Sequence, residues 1–227
     1  MIWQVSGDTG GGLEVKRIGY KLAWAAEQPQ YKWEFLLLES PEFNALCAPG
    51  GKIVVFNGLN TFTTNSSELA FVIAHEISHA IARHYGEAWT HSLLEKGGSA
   101  VIDLALGFAG QKHIVSSEFL GRVFLAKEIS IQYSLGLLNL HYSRSQEDEA
   151  DRMGLLLMAK AGYNPDHAII FWERQARSHS KNHSWLDVYL RTHPLDETRL
   201  KNLKAWLPEA REVYERNMKR DIQRKLF

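Results

Sequence analysis

His75, Glu76 and His79 stand as His-Glu-x-x-His within Leu69-Ala-Phe-Val-Ile-Ala-His-Glu-Ile-Ser-His-Ala-Ile-Ala-Arg-His84. On a helix of 3.6 residues per turn, two histidines four apart lie one above the other on the same face. Paired imidazoles in that arrangement can hold one zinc ion between them. Glu76, one residue round from His75, can then reach a water at an open coordination position. The chemistry this would support is hydrolysis by an activated water.

The segment carrying these residues has the marks of a helix. Asn65 followed by Glu68 resembles a capping box, with Ser66 and Ser67 as alternative caps. Leu69, Val72, Ile73, Ile77 and Ala80 recur at helical spacing, and Gly86 offers a stop, so the motif falls on an amphipathic helix with one buried side. Upstream, Gly7 to Gly12 reads as a flexible lead-in. Val15, Ile18, Leu22 and Ala25 or Ala26 mark a first helix to about Glu27, closed by Gln28-Pro29. Three short apolar runs, Trp33–Leu38, Phe43–Cys47 and Lys52–Phe56, read as strands, with a turn at Pro49-Gly50-Gly51. A small antiparallel sheet just before the His-Glu-x-x-His helix is the simplest arrangement.

A catalytic zinc ordinarily takes three protein ligands plus water, and the motif supplies two. A second acidic helix offers the third. In Ser143-Arg-Ser-Gln-Glu147-Asp-Glu-Ala-Asp151, Ser145 is the expected N-cap, and acids in the first turn suit the helix dipole. Glu147 and Asp151 are four apart and share a face. Glu147 would complete the ligand set, and Asp151 would accept a hydrogen bond from the far nitrogen of a ligand histidine. Gly162 closes this helix, and Asn164-Pro165-Asp166 starts another running to about Arg177.

Composition bounds the rest. The 227 residues suit one compact domain, or one domain with an appendage, drawn as a main domain over 1–207 and a charged helical tail over 208–227. Lys plus Arg is 26 and Asp plus Glu is 26, so no global field points to nucleic acid. The one cysteine, Cys47, excludes an internal disulfide and reads as a buried thiol. Two apolar runs, Ala100–Gly110 and Ile129–Leu140, are each shorter than the roughly 20 residues that span a bilayer. They read as helices packed on the core, with a membrane-touching segment as the alternative. The start lacks the basic and apolar regions of a signal peptide. The compartment stays open: periplasmic or membrane-associated if a leader was removed, otherwise cytoplasmic.

His-Glu-x-x-His with a distant Glu-x-x-x-Asp resembles the gluzincin metallopeptidases of the CaaX-prenyl-protease, HtpX and Oma-type group. Three more stretches agree. Asn44-Ala-Leu-Cys-Ala-Pro-Gly-Gly is similar to the group's Asn-Ala-Phe-x-x-Pro-Gly-Gly. Ser143-Arg-Ser-Gln-Glu-Asp-Glu-Ala-Asp-Arg-Met-Gly matches its Ser-Arg-x-x-Glu-x-x-Ala-Asp-x-x-Gly, and Thr192-His193-Pro194 with Arg199 matches its closing Thr-His-Pro-x-x-x-x-Arg. The resemblance implies an α+β, mostly helical zincin-like domain binding one Zn2+ per chain through His75, His79 and Glu147. Glu76 would be the general base of peptide hydrolysis. Asn44 and Ala45 would bind a polypeptide substrate as an added β-strand. The same resemblance turns His193 toward the zinc, either donating to the oxyanion or acting as a removable fourth ligand, and makes Arg199 a salt-bridge anchor.

Protein quality control on unfolded or misassembled polypeptides is the role this implies. The alternative is a zinc-binding, chaperone-like or auto-inhibited module with little turnover. The long transmembrane helices and the tetratricopeptide domain of several relatives have no counterpart in this sequence. His84 reads as a helix-end histidine favoured by the negative end of the dipole. His91, His113, His141, His167, His179 and His183 have no partner at ligand spacing and read as surface or packing residues. Lys219, Arg220, Arg224 and Lys225 give the tail a basic end.

Overall fold

The computed structural model describes residues 10–48, 50–84, 86–87, 142–179, 189, 193 and 197–226. The apolar runs at 100–110 and 129–140 lie outside them, as do His91, His113, His141 and His183. In chain order the elements are α1 (Gly10–Ala26), β1 (Glu34–Leu38), β2 (Ala45–Ala48), β3 (Lys52–Phe56), α2 (Asn57–Phe62) and α3 (Ser66–Ile81). After the undescribed stretch come α4 (Arg144–Lys160), α5 (Asp166–His179) and α6 (Glu197–Leu226). The mostly helical α+β class expected from the sequence is the one found. No helix among the described residues is long and apolar enough to cross a membrane. The helix α6 runs through position 207 without a break and carries Pro208 inside it.

The α3 helix, which bears His-Glu-x-x-His, is the axis of the molecule. It packs on α1, β2 and β3 on one side and on α4 and α5 on the other. Every residue from Glu68 to Ala80 is buried as a result. The sequence suggested a helix with one buried side, but this one is enclosed all round, as an apolar helix at the centre of a fold must be. Asn65 is its N-cap, accepting from the amides of Ser67 and Glu68. The Glu68 carboxylate does not close a box on Asn65. It accepts from the Thr64 amide at 2.8 Å and the Thr64 hydroxyl at 3.0 Å, and pairs with Arg174 of α5. The helix also ends earlier than Gly86, because Arg83 takes a left-handed conformation (φ 62°) two residues past Ile81.

The sheet is mixed, which corrects the antiparallel expectation. Its order is β1-β3-β2, with β1 parallel to β3 and β2 antiparallel to it. The β2–β3 hairpin turns through Gly50 (φ 84°) and Gly51 (φ 89°), a region open to glycine and strained for other residues. The segment between β1 and β2 makes no hairpin. Phe43 is anchored in the core against Phe62, Phe171 and Tyr189, which carries the chain past β3 to its far edge. The start of α1 also differs: Gly10 to Gly12 belong to the helix, not to a lead-in.

The α4 helix is capped by Ser143, not Ser145. Ser143 and Gln146 form a reciprocal capping box, which satisfies two end amides where Ser145 would satisfy one. Glu147, Asp151 and Gly154 share the face turned to α3. A Cβ on Gly154 would lie 3.0 Å from the His75 nitrogen and 3.1 Å from its Cα, so the two backbones meet there.

Two outcomes follow for stability. Gly154→Val should prise α4 from α3 and destabilise the fold by about 1–3 kcal/mol, read by urea unfolding. Glu68→Gln should cost about 2 kcal/mol at neutral pH. Burial alone would raise the Glu68 pKa, but the Arg174 hydrogen bonds and those from Thr64 bring it below the ordinary value. A depressed carboxylate adds stability above its unfolded pKa and loses it as pH falls through the folded one. The gap between wild type and Glu68→Gln should therefore narrow below about pH 4 in pH-dependent unfolding.

Candidate metal centre

Four donor atoms from three parts of the chain converge beside α3. His75 Nε2 lies 3.0 Å from His79 Nε2 and 3.3 Å from His193 Nδ1. Glu147 Oε1 lies 3.3 Å from His79 Nε2 and 3.1 Å from His193 Nδ1. These four atoms form a closed ring, and all four residues are buried. The middle of a ring with such sides is roughly 2.0–2.3 Å from each corner, the length of zinc–nitrogen and zinc–oxygen bonds. Lone pairs of two imidazoles 3.0 Å apart repel unless a cation or proton lies between them. The donor set of three imidazoles and one carboxylate therefore fits a zinc ion.

Each donor is held by further contacts. The far nitrogen of His75, Nδ1, sits 3.0 Å from Asp151 Oδ1. The far nitrogen of His79, Nδ1, sits 3.0 Å from His84 Nδ1. The His79 ring is stacked on Tyr142, centroids 4.0 Å apart. His193 donates its backbone N–H to the Tyr189 carbonyl at 2.8 Å and stacks on the Tyr189 ring at 4.6 Å. Arg199, 2% exposed, grips both acids of α4: Nε and Nη2 donate to Asp151 at 2.8 and 2.9 Å, and Nη1 lies 2.6 Å from Glu147 Oε2. Its guanidinium lies over the Trp172 ring, 4.4 Å from the centroid.

Burial would raise the pKa of both α4 acids. His193 and Arg199 outweigh it at Glu147 and hold that carboxyl well below the usual range. At Asp151, Arg199 and the contact with His75 do the same. Burial and the neighbouring His75 push His79 down to about 3, which keeps its imidazole neutral as a ligand must be. At His75 burial works the other way from its acidic neighbours, and Asp151 and Glu147 prevail, raising it. Glu76 is raised, chiefly by burial, against the pull of His193 and His75.

Neither buried Glu76 oxygen has a hydrogen bond of good geometry among the described residues; the Cys47 backbone N–H and His193 Nε2, the latter at 3.5 Å, are the groups that face it. A buried carboxylate met so loosely has acceptor capacity to spare for a water or a substrate group. Asn44 and Ala45 sit at the start of β2, the strand packed on α3, and neither joins the donor ring. Asn44 is fully buried, accepts the Ala45 N–H at 2.9 Å through Oδ1, and has no partner for Nδ2 among the described residues.

All seven residues singled out on the two helices and the Thr-His-Pro segment thus meet in one cluster: His75, Glu76, His79, Glu147, Asp151, His193 and Arg199. Sequence reasoning missed His84, Tyr142 and Tyr189. His84 does more than sit at a helix end: it is 2% exposed and faces His79 on one side and Glu149 Oε2, at 3.2 Å, on the other. Tyr142 had one available signal, its place directly before the capping Ser143.

Removing the Arg199 charge should leave two buried carboxylates uncompensated. Arg199→Met is expected to destabilise the chain by about 3–5 kcal/mol in the presence of a chelator, measured by urea unfolding at pH 7. Arg199→Lys should restore only part of this, because an ammonium cannot span both acids as the planar fork does.

Known proteins resemble this chain over most of its length. The model of Peptidase family M48 matches residues 12–207. The mitochondrial metalloendopeptidase OMA1 of Schizosaccharomyces pombe is 34% identical over 203 residues, covering 87% of this chain and 53% of that protein. The Arabidopsis thaliana protein of the same name is 37% identical over 171 residues, 75% of this chain and 31% of the relative. The beta-barrel assembly-enhancing protease of Escherichia coli K12 is 28% identical over 200 residues, 82% of this chain and 37% of the relative. The chain spans about half the length of these relatives, or less. With a family model matched across most of its length, this chain belongs to peptidase family M48, the group foreshadowed by its four motifs.

Proposed function

We propose that this chain is the peptidase unit of a zinc metalloendopeptidase that cleaves unfolded or misassembled polypeptides. The observation that carries the reading is the buried Glu76 carboxylate, with no side-chain hydrogen bond of good geometry among the described residues, beside the convergent donors His75, His79 and Glu147. Zinc at that point would polarise a peptide carbonyl and ease deprotonation of water. The chain's own residues do the rest. Glu76 takes the proton of the attacking water and later passes it to the leaving amine, a task suited to a carboxyl whose pKa burial has raised. Arg199 holds Glu147 through Oε2 and leaves Oε1 for the metal. Asp151 fixes the His75 ring.

The proximity of β2 to α3 supports a substrate strand added at Asn44 and Ala45, a mode that relies on backbone contacts and tolerates varied sequences. Tolerance of that kind suits a quality-control protease, in keeping with the name of the Escherichia coli relative, a beta-barrel assembly-enhancing protease.

His193 bears on the second reading, an auto-inhibited module. Its Nδ1 lies within 3.3 Å of His75 Nε2 and 3.1 Å of Glu147 Oε1, which favours a fourth protein ligand in the resting state over an oxyanion donor. Four protein ligands close a zinc site to water.

Zinc content and casein cleavage test both points. Purified chain should carry one zinc, and its activity should vanish with chelator and fall by roughly a hundredfold or more in Glu76→Gln. His193→Ala should cleave faster than wild type if His193 closes the site, and more slowly if it serves the transition state. Zinc bound with no cleavage by any variant would leave a binding module.

A further inference from the structure

We infer that His84 and Glu149 form a positioning relay that fixes the ring of the zinc ligand His79. This rests on the zinc reading above, and it assigns a use to a histidine that the proposed reaction does not employ.

The geometry allows one order of protons. His79 presents Nε2 to the donor ring, so its hydrogen must sit on Nδ1. Nδ1 then donates to His84 Nδ1 at 3.0 Å, which must be a bare acceptor. The His84 hydrogen is thereby on Nε2, which faces Glu149 Oε2 at 3.2 Å. The carboxylate sets the His84 tautomer, and His84 sets that of His79. His75 has its counterpart in one step, through Asp151 at 3.0 Å. Both ligand histidines therefore end on a carboxylate of α4, one directly and one through an imidazole.

The backbone is shaped for this contact. On a continuous helix a residue five positions on points about 140° away, so His84 could not meet His79 if α3 ran on. Two features end the helix in time. Ala82 caps it, donating to the Ser78 carbonyl at 2.9 Å, and Arg83 takes its left-handed conformation at φ 62°. Such a conformation costs a non-glycine residue on the order of 1 kcal/mol and persists where surrounding structure demands it. The turn brings the His84 ring back to 5.1 Å from that of His79, centroid to centroid, and buries it.

Zinc affinity of the full chain, measured by competition with a chromophoric chelator, tests the relay, with the visible spectrum of the cobalt(II) form as a second readout. His84→Phe keeps the ring and removes the acceptor. It should weaken zinc binding roughly 10–100-fold and shift the cobalt bands. His84→Asn places an amide oxygen where Nδ1 stood and should recover much of the loss. Glu149→Ala, at a side chain 58% exposed, should fold normally and weaken zinc by a smaller factor, since water can replace part of the carboxylate's role.

Zinc binding by His84→Phe as tight as wild type would overturn the relay. So would equal losses in His84→Phe and His84→Asn, which would mark a packing role only. Should His84→Phe fail to fold, Glu149→Ala decides alone: unchanged affinity and cobalt bands would overturn the relay. A wild-type chain that takes up no zinc would instead overturn the metal reading, and the relay with it.

Discussion

Burying ionisable groups is costly unless each charge meets its opposite, and this constraint governs the centre of the molecule. Seven such residues, His75, Glu76, His79, Glu147, Asp151, His193 and Arg199, are each 2% exposed or less. Among the described residues, Arg199 is the permanent cation set against the ionised Glu147 and Asp151, and those two acids also raise the pKa of His75. Arg199 alone leaves one negative charge over, and an ionised Glu76 would make it two. With the histidines neutral, a divalent cation in the donor ring would balance that pair of charges. Charge balance and donor geometry are thus both met by the same ion.

The same constraint explains why α3 can be enclosed on all sides although it carries several polar residues. Glu68 is matched by Thr64 and Arg174, and the Ser78 hydroxyl donates to the Ala74 carbonyl at 2.7 Å. His75 and His79 are matched by Asp151 and His84. Glu76 is the α3 carboxylate with no side-chain hydrogen bond of good geometry among the described residues. Gly154 then lets α4 approach the His75 backbone closely enough for Glu147 and Asp151 to reach across. Packing and site geometry are one problem here, since a wider helix separation would unmake both.

The sequence disclosed what depends on local spacing. A four-residue interval places His75 above His79, and another places Glu147 above Asp151. Asn65 announces the start of α3, and the three strands are found close to where β-branched and aromatic runs put them. What it hid depends on breaks in regular structure. Nothing in Ala82-Arg83 signals a left-handed residue, so His84 read as a helix-end histidine and not as a partner of His79. Glu149 is two residues from Glu147 and so lies across the helix from it, where it passes for a solvated acid. The mixed sheet was hidden because Phe43, by anchoring the crossover, decides it through tertiary contacts with Phe171 and Tyr189. Ser143 and Ser145 compete as caps, and only the reciprocal bond to Gln146 separates them.

His193 differs in kind from the other three donors. His75 and His79 are fixed by a helix enclosed along its length, and Glu147 by a helix packed on it and by Arg199. His193 lies outside the described helices, and among the described residues its backbone N–H bonds the Tyr189 carbonyl while its ring stacks on Tyr189 and lies 5.5 Å from that of Tyr142. On the proposed reading, His193 would be the ligand to exchange, since the other three donors are fixed on two helices packed against each other. Its departure would also free Glu76 from the contact at 3.5 Å, so opening the metal and releasing the base would be a single event. On the proposed reading, a site built this way keeps its metal bound by three anchored donors whether or not it is active.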